Sequence, residues 1–173
     1  MEENNKNNKA NEPLIPYTKT LHIFHSFEEQ EAHELKDIER YLNERGYSNA
    51  NMMAAKFNHK PDLIISSHAI RAISTALIFA RHINYNPNTI VIKQELYESS
   101  VKDYLSVINA IDNNFNTVLL FAHNPTISDL AQHLTQALPM EMPTCAIAGI
   151  IFDTNDWKKA KIGKLCLFDY PKK

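Results

Sequence analysis

The feature that most constrains this chain is a series of short apolar runs, each breaking off at a polar residue and most followed by a stretch with helical spacing. Leu63-Ile64-Ile65 and Val118-Leu119-Leu120-Phe121-Ala122 are apolar at every position, the pattern of strands buried on both faces of a parallel sheet. Thr20–His25, Ile90–Leu96, Cys145–Phe152 and Lys164–Phe168 read as the remaining strands. The stretch Phe27–Glu44 carries Leu35, Ile38, Tyr41 and Leu42 at helical spacing, with Gly46 placed to end it as a left-handed cap. Asn49–Phe57 reads as a short second helix with Met52, Met53 and Phe57 on one face. Ser67 would cap a helix from His68 to about residue 84, and Ser99 or Ser100 one that runs to about residue 113. Asn124-Pro125 would open another, to about residue 137, with proline at the first helical position. Strand and helix alternate for most of the length. The expected architecture is therefore α/β: a three-layer α/β/α sandwich with a mostly parallel central sheet.

At 173 residues the chain suits one domain, expected over residues 17–173. Residues 1–16 are Asn-, Lys- and Glu-rich with no apolar period and read as a disordered polar tail. The net charge of −2 argues against nucleic acid or a membrane surface as partner. With only 3 glycines, a glycine-rich phosphate loop of the Walker or dinucleotide type is excluded. Cys145 and Cys166 fall in apolar strand-like runs and read as buried thiols with no disulfide framework. No run is long and apolar enough to span a bilayer, and the start does not read as a signal peptide, so a cytoplasmic location is expected.

Two of the apolar strands end in histidine: Leu21-His22-Ile23-Phe24-His25, and Val118 to Ala122 followed by His123. A third, at Ser66-Ser67, runs into a helix start that carries Arg71. Ligands of open α/β sheets bind beyond the carboxyl ends of the strands. Two imidazoles and a guanidinium at one rim suit a phosphoryl group: a neutral imidazole can attack phosphorus, and a second, protonated one can donate to the equatorial oxygens. Arg71, in the first turn of its helix, would add forked hydrogen bonds beside unpaired backbone N–H groups. Glu98 precedes a helix cap in Leu96-Tyr97-Glu98-Ser99-Ser100 and could protonate a leaving group. Each residue has a plainer reading: a structural strand-end histidine, an arginine solvated on a helix face, an acid favouring a helix dipole. Strand alternation puts His22 and His25 on opposite faces, so the two cannot chelate one metal from a regular strand.

These segments resemble the histidine phosphatase (phosphoglycerate mutase-like) superfamily, and within it the small SixA-like phosphohistidine phosphatase branch. Asp37-Ile-Glu-Arg40-Tyr-Leu42-Asn-Glu-Arg-Gly46 is similar to its Asp-x-x-Arg-x-Leu-x-x-x-Gly segment. Ser66-Ser67-His68-Ala69-Ile70-Arg71-Ala72-Ile73-Ser74-Thr75-Ala76 is similar to Ser-Ser-Pro-x-x-Arg-Ala-x-x-Thr-Ala. Leu96-Tyr97-Glu98 is similar to Leu-Tyr-Glu, and Ala122-His123-Asn124-Pro125 to Gly-His-Asn-Pro. The resemblance implies a phosphohydrolase with His25 as nucleophile and Arg71, His123 and Ser26 about the phosphate. Glu98 would be the proton donor, with no metal or organic cofactor. The implied partner is a phosphoprotein (phosphohistidine included) or a small phosphate ester. The chain departs from the branch where Phe24 replaces the arginine before the nucleophile and His68 replaces the proline. Glu28 and Glu29 follow the first motif where the branch tends to polar or basic residues. Those departures leave open an alternative: a catalytically degenerate relative that binds a phosphorylated partner.

Overall fold

The computed structural model describes residues 18–26, 34–137 and 141–172. The expected tail at 1–16, together with Glu28 and Glu29, lies outside the described residues. Ten helices and strands can be followed: β1 (Lys19–His25), α1 (Glu44–Lys56), β2 (Leu63–Ser67), α2 (Ile70–His82), β3 (Val91–Lys93), α3 (Val101–Asn109), β4 (Thr117–Ala122), α4 (Thr126–Thr135), β5 (Ile147–Phe152) and β6 (Lys164–Asp169). The described strands form one sheet in the order β3-β2-β4-β1-β5-β6. From β3 through β1 all pairings are parallel. β5 pairs antiparallel with β1, and β6 antiparallel with β5. The expected α/β sandwich with a mostly parallel sheet is thus observed, with one antiparallel edge.

Side-chain alternation sorts the core into two layers. Leu21, Ile23, Val118 and Leu120 face α3 and α4, together with Tyr104, Ile108, Leu130 and Trp157. Phe24, Ile64, Leu119 and Phe121 face α1 and α2, with Met53, Phe57 and Phe79. β1 and β4 lie side by side, with His25 opposite Ala122, so His25 and His123 are one residue apart along adjacent parallel strands. β2 flanks β4 on the other side. Three strand ends, and the loops that follow them, therefore share one rim.

Several expected boundaries move. Residues 34–44 do not continue a helix: the described part holds a single 3-10 turn at Asp37–Glu39. Asn43 begins α1 instead, its side chain accepting from the Gly46 N–H at 2.7 Å. Gly46 thus lies in the first turn of α1 rather than ending an earlier helix. A local cap outranked the apolar spacing upstream, where Tyr41 points to solvent and only Leu42 is buried. The last strand residues expected at 94–96 form a 3-10 turn after β3. Cys145 is buried as expected, but Cys166 is exposed, because β6 is an edge strand with alternating exposure.

Candidate active site at the carboxyl rim of the sheet

A cavity of about 700 Å³ opens at this rim. His25, Arg71, Glu98 and His123 all line it, so four of the five residues singled out in the sequence share one space. The fifth, Ser26, is fully buried and outside the lining. Immediately after β1 the Ser26 N–H donates to the Ala122 carbonyl, extending the pairing with β4.

His25 is held by its outer nitrogen. Nδ1 lies 3.0 Å from the Met142 carbonyl oxygen and 3.1 Å from that of Pro143. Carbonyl oxygens only accept, so Nδ1 carries the proton, and Nε2 is the unprotonated nitrogen of the neutral ring. Burial lowers the pKa of His25, against the opposing pull of these two carbonyls and of Glu141, which favour the charged ring. The clamp is itself anchored. The Asn124 amide donates to the Met142 carbonyl at 2.9 Å, and the Met142 N–H donates to the Ser128 hydroxyl at 2.8 Å. The Asn124-Pro125 signal in the sequence therefore reaches the first histidine through the 142–143 backbone. Pro125 itself occupies the cap position of α4, which starts at Thr126.

His123 lies with Nε2 2.8 Å from the Ser67 hydroxyl. Burial, and then the charges of Arg71 and His25, push its pKa down to about 3. The second imidazole is thus neutral rather than protonated as the sequence reading had it, and it donates through one N–H only. Ser67 departs from expectation for a related reason. α2 begins at Ile70 with Ala69 in the cap position, while the Ser67 hydroxyl accepts from the Ala69 N–H and contacts His123.

Arg71 is 5 % exposed, and Asp37 holds it at two points. Nη1 donates to the Asp37 backbone carbonyl at 2.7 Å, and Nη2 to its carboxylate at 3.0 Å. The Tyr97 hydroxyl donates to the same carboxylate oxygen. Burial raises the Asp37 pKa, but the hydrogen bonds from Tyr97 and Arg71 outweigh it and hold the carboxyl below its ordinary value. Tyr97 precedes Glu98, an exposed residue in left-handed backbone with φ 46°. The Asp37 turn, the start of α2 and the Glu98 loop are therefore tied together at one carboxylate. Asp37 stood in the sequence as part of a motif, without a role. Glu141 carried no signal at all, because only the fold returns it to β1.

Phe24 is fully buried and faces α2, with its ring centroid 4.9 Å from Phe79 and 5.4 Å from Phe121. It does not line the cavity. His68 is half-buried, with its ring edge-on to Tyr97 at 5.3 Å. Among the described residues no three His, Cys, Asp or Glu side chains cluster as a metal site requires. No described helix is long and apolar enough to cross a membrane.

A sequence profile of the histidine phosphatase superfamily (branch 1) matches residues 27–107. The SixA protein of Agrobacterium tumefaciens, assigned as a phosphohistidine phosphatase, superposes with a TM-score of 0.73 at 28 % identity, covering 88 % of this chain and 98 % of that one. The sequence of residues 27–107 and the fold of the described residues are thus similar to the histidine phosphatase superfamily. The same fold is found in the protein histidine phosphatase SixA complexed with tungstate, with TM-score 0.76, 20 % identity and coverage of 87 % and 96 %. It recurs in a SixA of Nakamurella multipartita, with TM-score 0.73, 20 % identity and coverage of 89 % and 96 %. No curated protein matches the sequence. The profile match and the 28 % identical SixA protein support phosphatase activity in general.

Proposed function

We propose that this histidine phosphatase relative removes a phosphoryl group from a phosphoprotein, phosphohistidine included, through a covalent intermediate on His25. The observation that carries the reading is the clamp on Nδ1, which makes Nε2 the nucleophilic nitrogen in a cavity shared with Arg71 and His123. In the first step Nε2 attacks phosphorus, the bond to the leaving group breaks, and Glu98 supplies the proton that a poor leaving group needs. Arg71 donates to the phosphoryl oxygens as charge builds on them, and His123 joins it by exchanging its Ser67 contact for one to the phosphoryl group. A phosphoryl dianion beside His123 would draw its pKa upward from about 3 and strengthen that donation. In the second step water attacks the phosphorus and gives a proton to the Glu98 carboxylate, the P–N bond breaks, and phosphate leaves with His25 and Glu98 restored. The chemistry asks nothing of a metal ion, because the nucleophile is a side chain and the charge is met by N–H donors.

The test is turnover of an activated aryl phosphate with a chelator present, alongside trapping of an acid-labile phosphoenzyme. The His25→Ala variant is expected to lose both signals while keeping its fold. Undiminished turnover in His25→Ala would eliminate the intermediate.

A second reading, a phosphate-dependent binder without turnover, is favoured by one observation. Arg71 is the sole cation among the described lining residues, and two of its five N–H groups go to Asp37. A wild-type protein that binds a phosphopeptide but never releases phosphate would establish that reading.

A further inference from the structure

The cavity is acidic for a site that would take a phosphate. Three carboxylates line it among the described residues: Asp37, Glu98 and Glu141. The single cation in the lining, Arg71, is already tied to one of them. Arg40 lies outside the lining, 3.9 Å from Asp37, so both arginines sit with Asp37, and Glu141 has no Lys or Arg among the described lining residues other than Arg71. Both imidazoles are kept neutral by burial and do not change the balance. Charge is also distributed by depth. The buried residues His25, His123 and Arg71 form the floor, whereas Glu98 and Glu141 are exposed. At about 700 Å³ the space holds more than a phosphoryl group, so the residues beside the phosphate must pass these carboxylates.

We propose that the rim selects its substrate by charge: a phosphorylated peptide segment flanked by Lys or Arg is preferred over phosphates whose remainder is itself anionic. This rests on the phosphatase reading and narrows it, disfavouring small phosphate esters that carry a carboxylate. Each flanking cation gains from Glu141 at the mouth, while each flanking anion is repelled by it; Glu98 adds to this field only when it does not hold the proton it donates. The buried phosphoryl floor is the same for both, so the discrimination resides in the substrate's neighbours and is sensitive to salt.

The experiment uses the full chain and two peptides with the same central phosphohistidine, one flanked by Lys residues and one by Glu residues, with an activated aryl phosphate as reference. At low salt kcat/KM is expected to be at least about tenfold higher for the Lys peptide, and the ratio should fall severalfold at about 0.5 M salt. Glu141→Gln is expected to narrow the ratio by about threefold, a comparison in which any change in basal activity cancels. Equal kcat/KM for the two peptides, in a protein that hydrolyses the aryl phosphate, would overturn the charge selection and leave the phosphatase reading standing. A ratio unmoved by salt would overturn it too. If none of the three substrates is hydrolysed, the phosphatase reading fails. The dissociation constants of the two peptides then decide the selection: a tighter Lys peptide supports it and equal affinities end it.

Discussion

His22 offers a stability prediction that can be worked through in numbers. The ring is 1 % exposed, and neither nitrogen has a hydrogen-bond partner among the described residues. It packs edge-on to Phe57 at 5.1 Å and lies 4.8 Å from the ring of His59. It also has little room to move, since a Cβ on Gly149 would come within 2.9 Å of its Cδ2. Burial, and then the nearby His59, lower its pKa from 6.5 to about 4. The unfolded chain therefore takes up a proton at higher pH than the folded one. Stability rises with pH wherever the unfolded state holds more protons, so this contribution is whole above pH 6.5 and is lost as pH falls from 6.5 toward 4. From the two pKa values the loss is about 2 kcal/mol at pH 5 and about 3 kcal/mol at pH 4, relative to pH 7.5. His22→Leu removes the titration and an unpartnered polar ring. Urea unfolding of both proteins from pH 7.5 to 5 is the assay. The wild type should lose about 2 kcal/mol more than the variant over that range. Parallel curves for the two proteins would refute the reasoning, because His22 would then be solvated or paired in the folded state.

Two further outcomes follow from the site. Phe24→Arg would put a guanidinium between Phe79 and Phe121 instead of in the cavity. It is expected to cost about 3 kcal/mol or more, lowering Tm by about 6–12 °C by calorimetry. An unchanged Tm would mean that the new side chain reaches the rim. Arg71→Lys keeps the charge but loses the fork that spans the Asp37 carbonyl and carboxylate. A drop of about a hundredfold in kcat/KM is expected, with the fold retained by circular dichroism. A drop below about threefold would remove Arg71 from the reaction.

The sequence by itself determined the layer architecture, because apolar runs such as Leu63–Ile65 and Val118–Ala122 have no stable environment other than a sheet covered on both faces. It also pointed to one rim for His25, Arg71 and His123, with Glu98 as a further candidate there. Each sits at or just after a strand end, and a parallel sheet delivers those ends to one rim. Side-chain alternation along β1 put Phe24 and His25 on opposite faces before any coordinates were known. The tertiary structure decided what neighbours those residues have. The clamp on His25 comes from Met142 and Pro143, more than a hundred residues downstream. The partner of Arg71 is Asp37, thirty-four residues upstream. Neither pairing leaves a local trace, because both depend on the path of the chain between residues far apart in sequence. The same holds for charge state. Nothing around His123 in the sequence announces a neutral ring; burial and the field of Arg71 make it so, and both exist only once β1, β2 and β4 stand side by side.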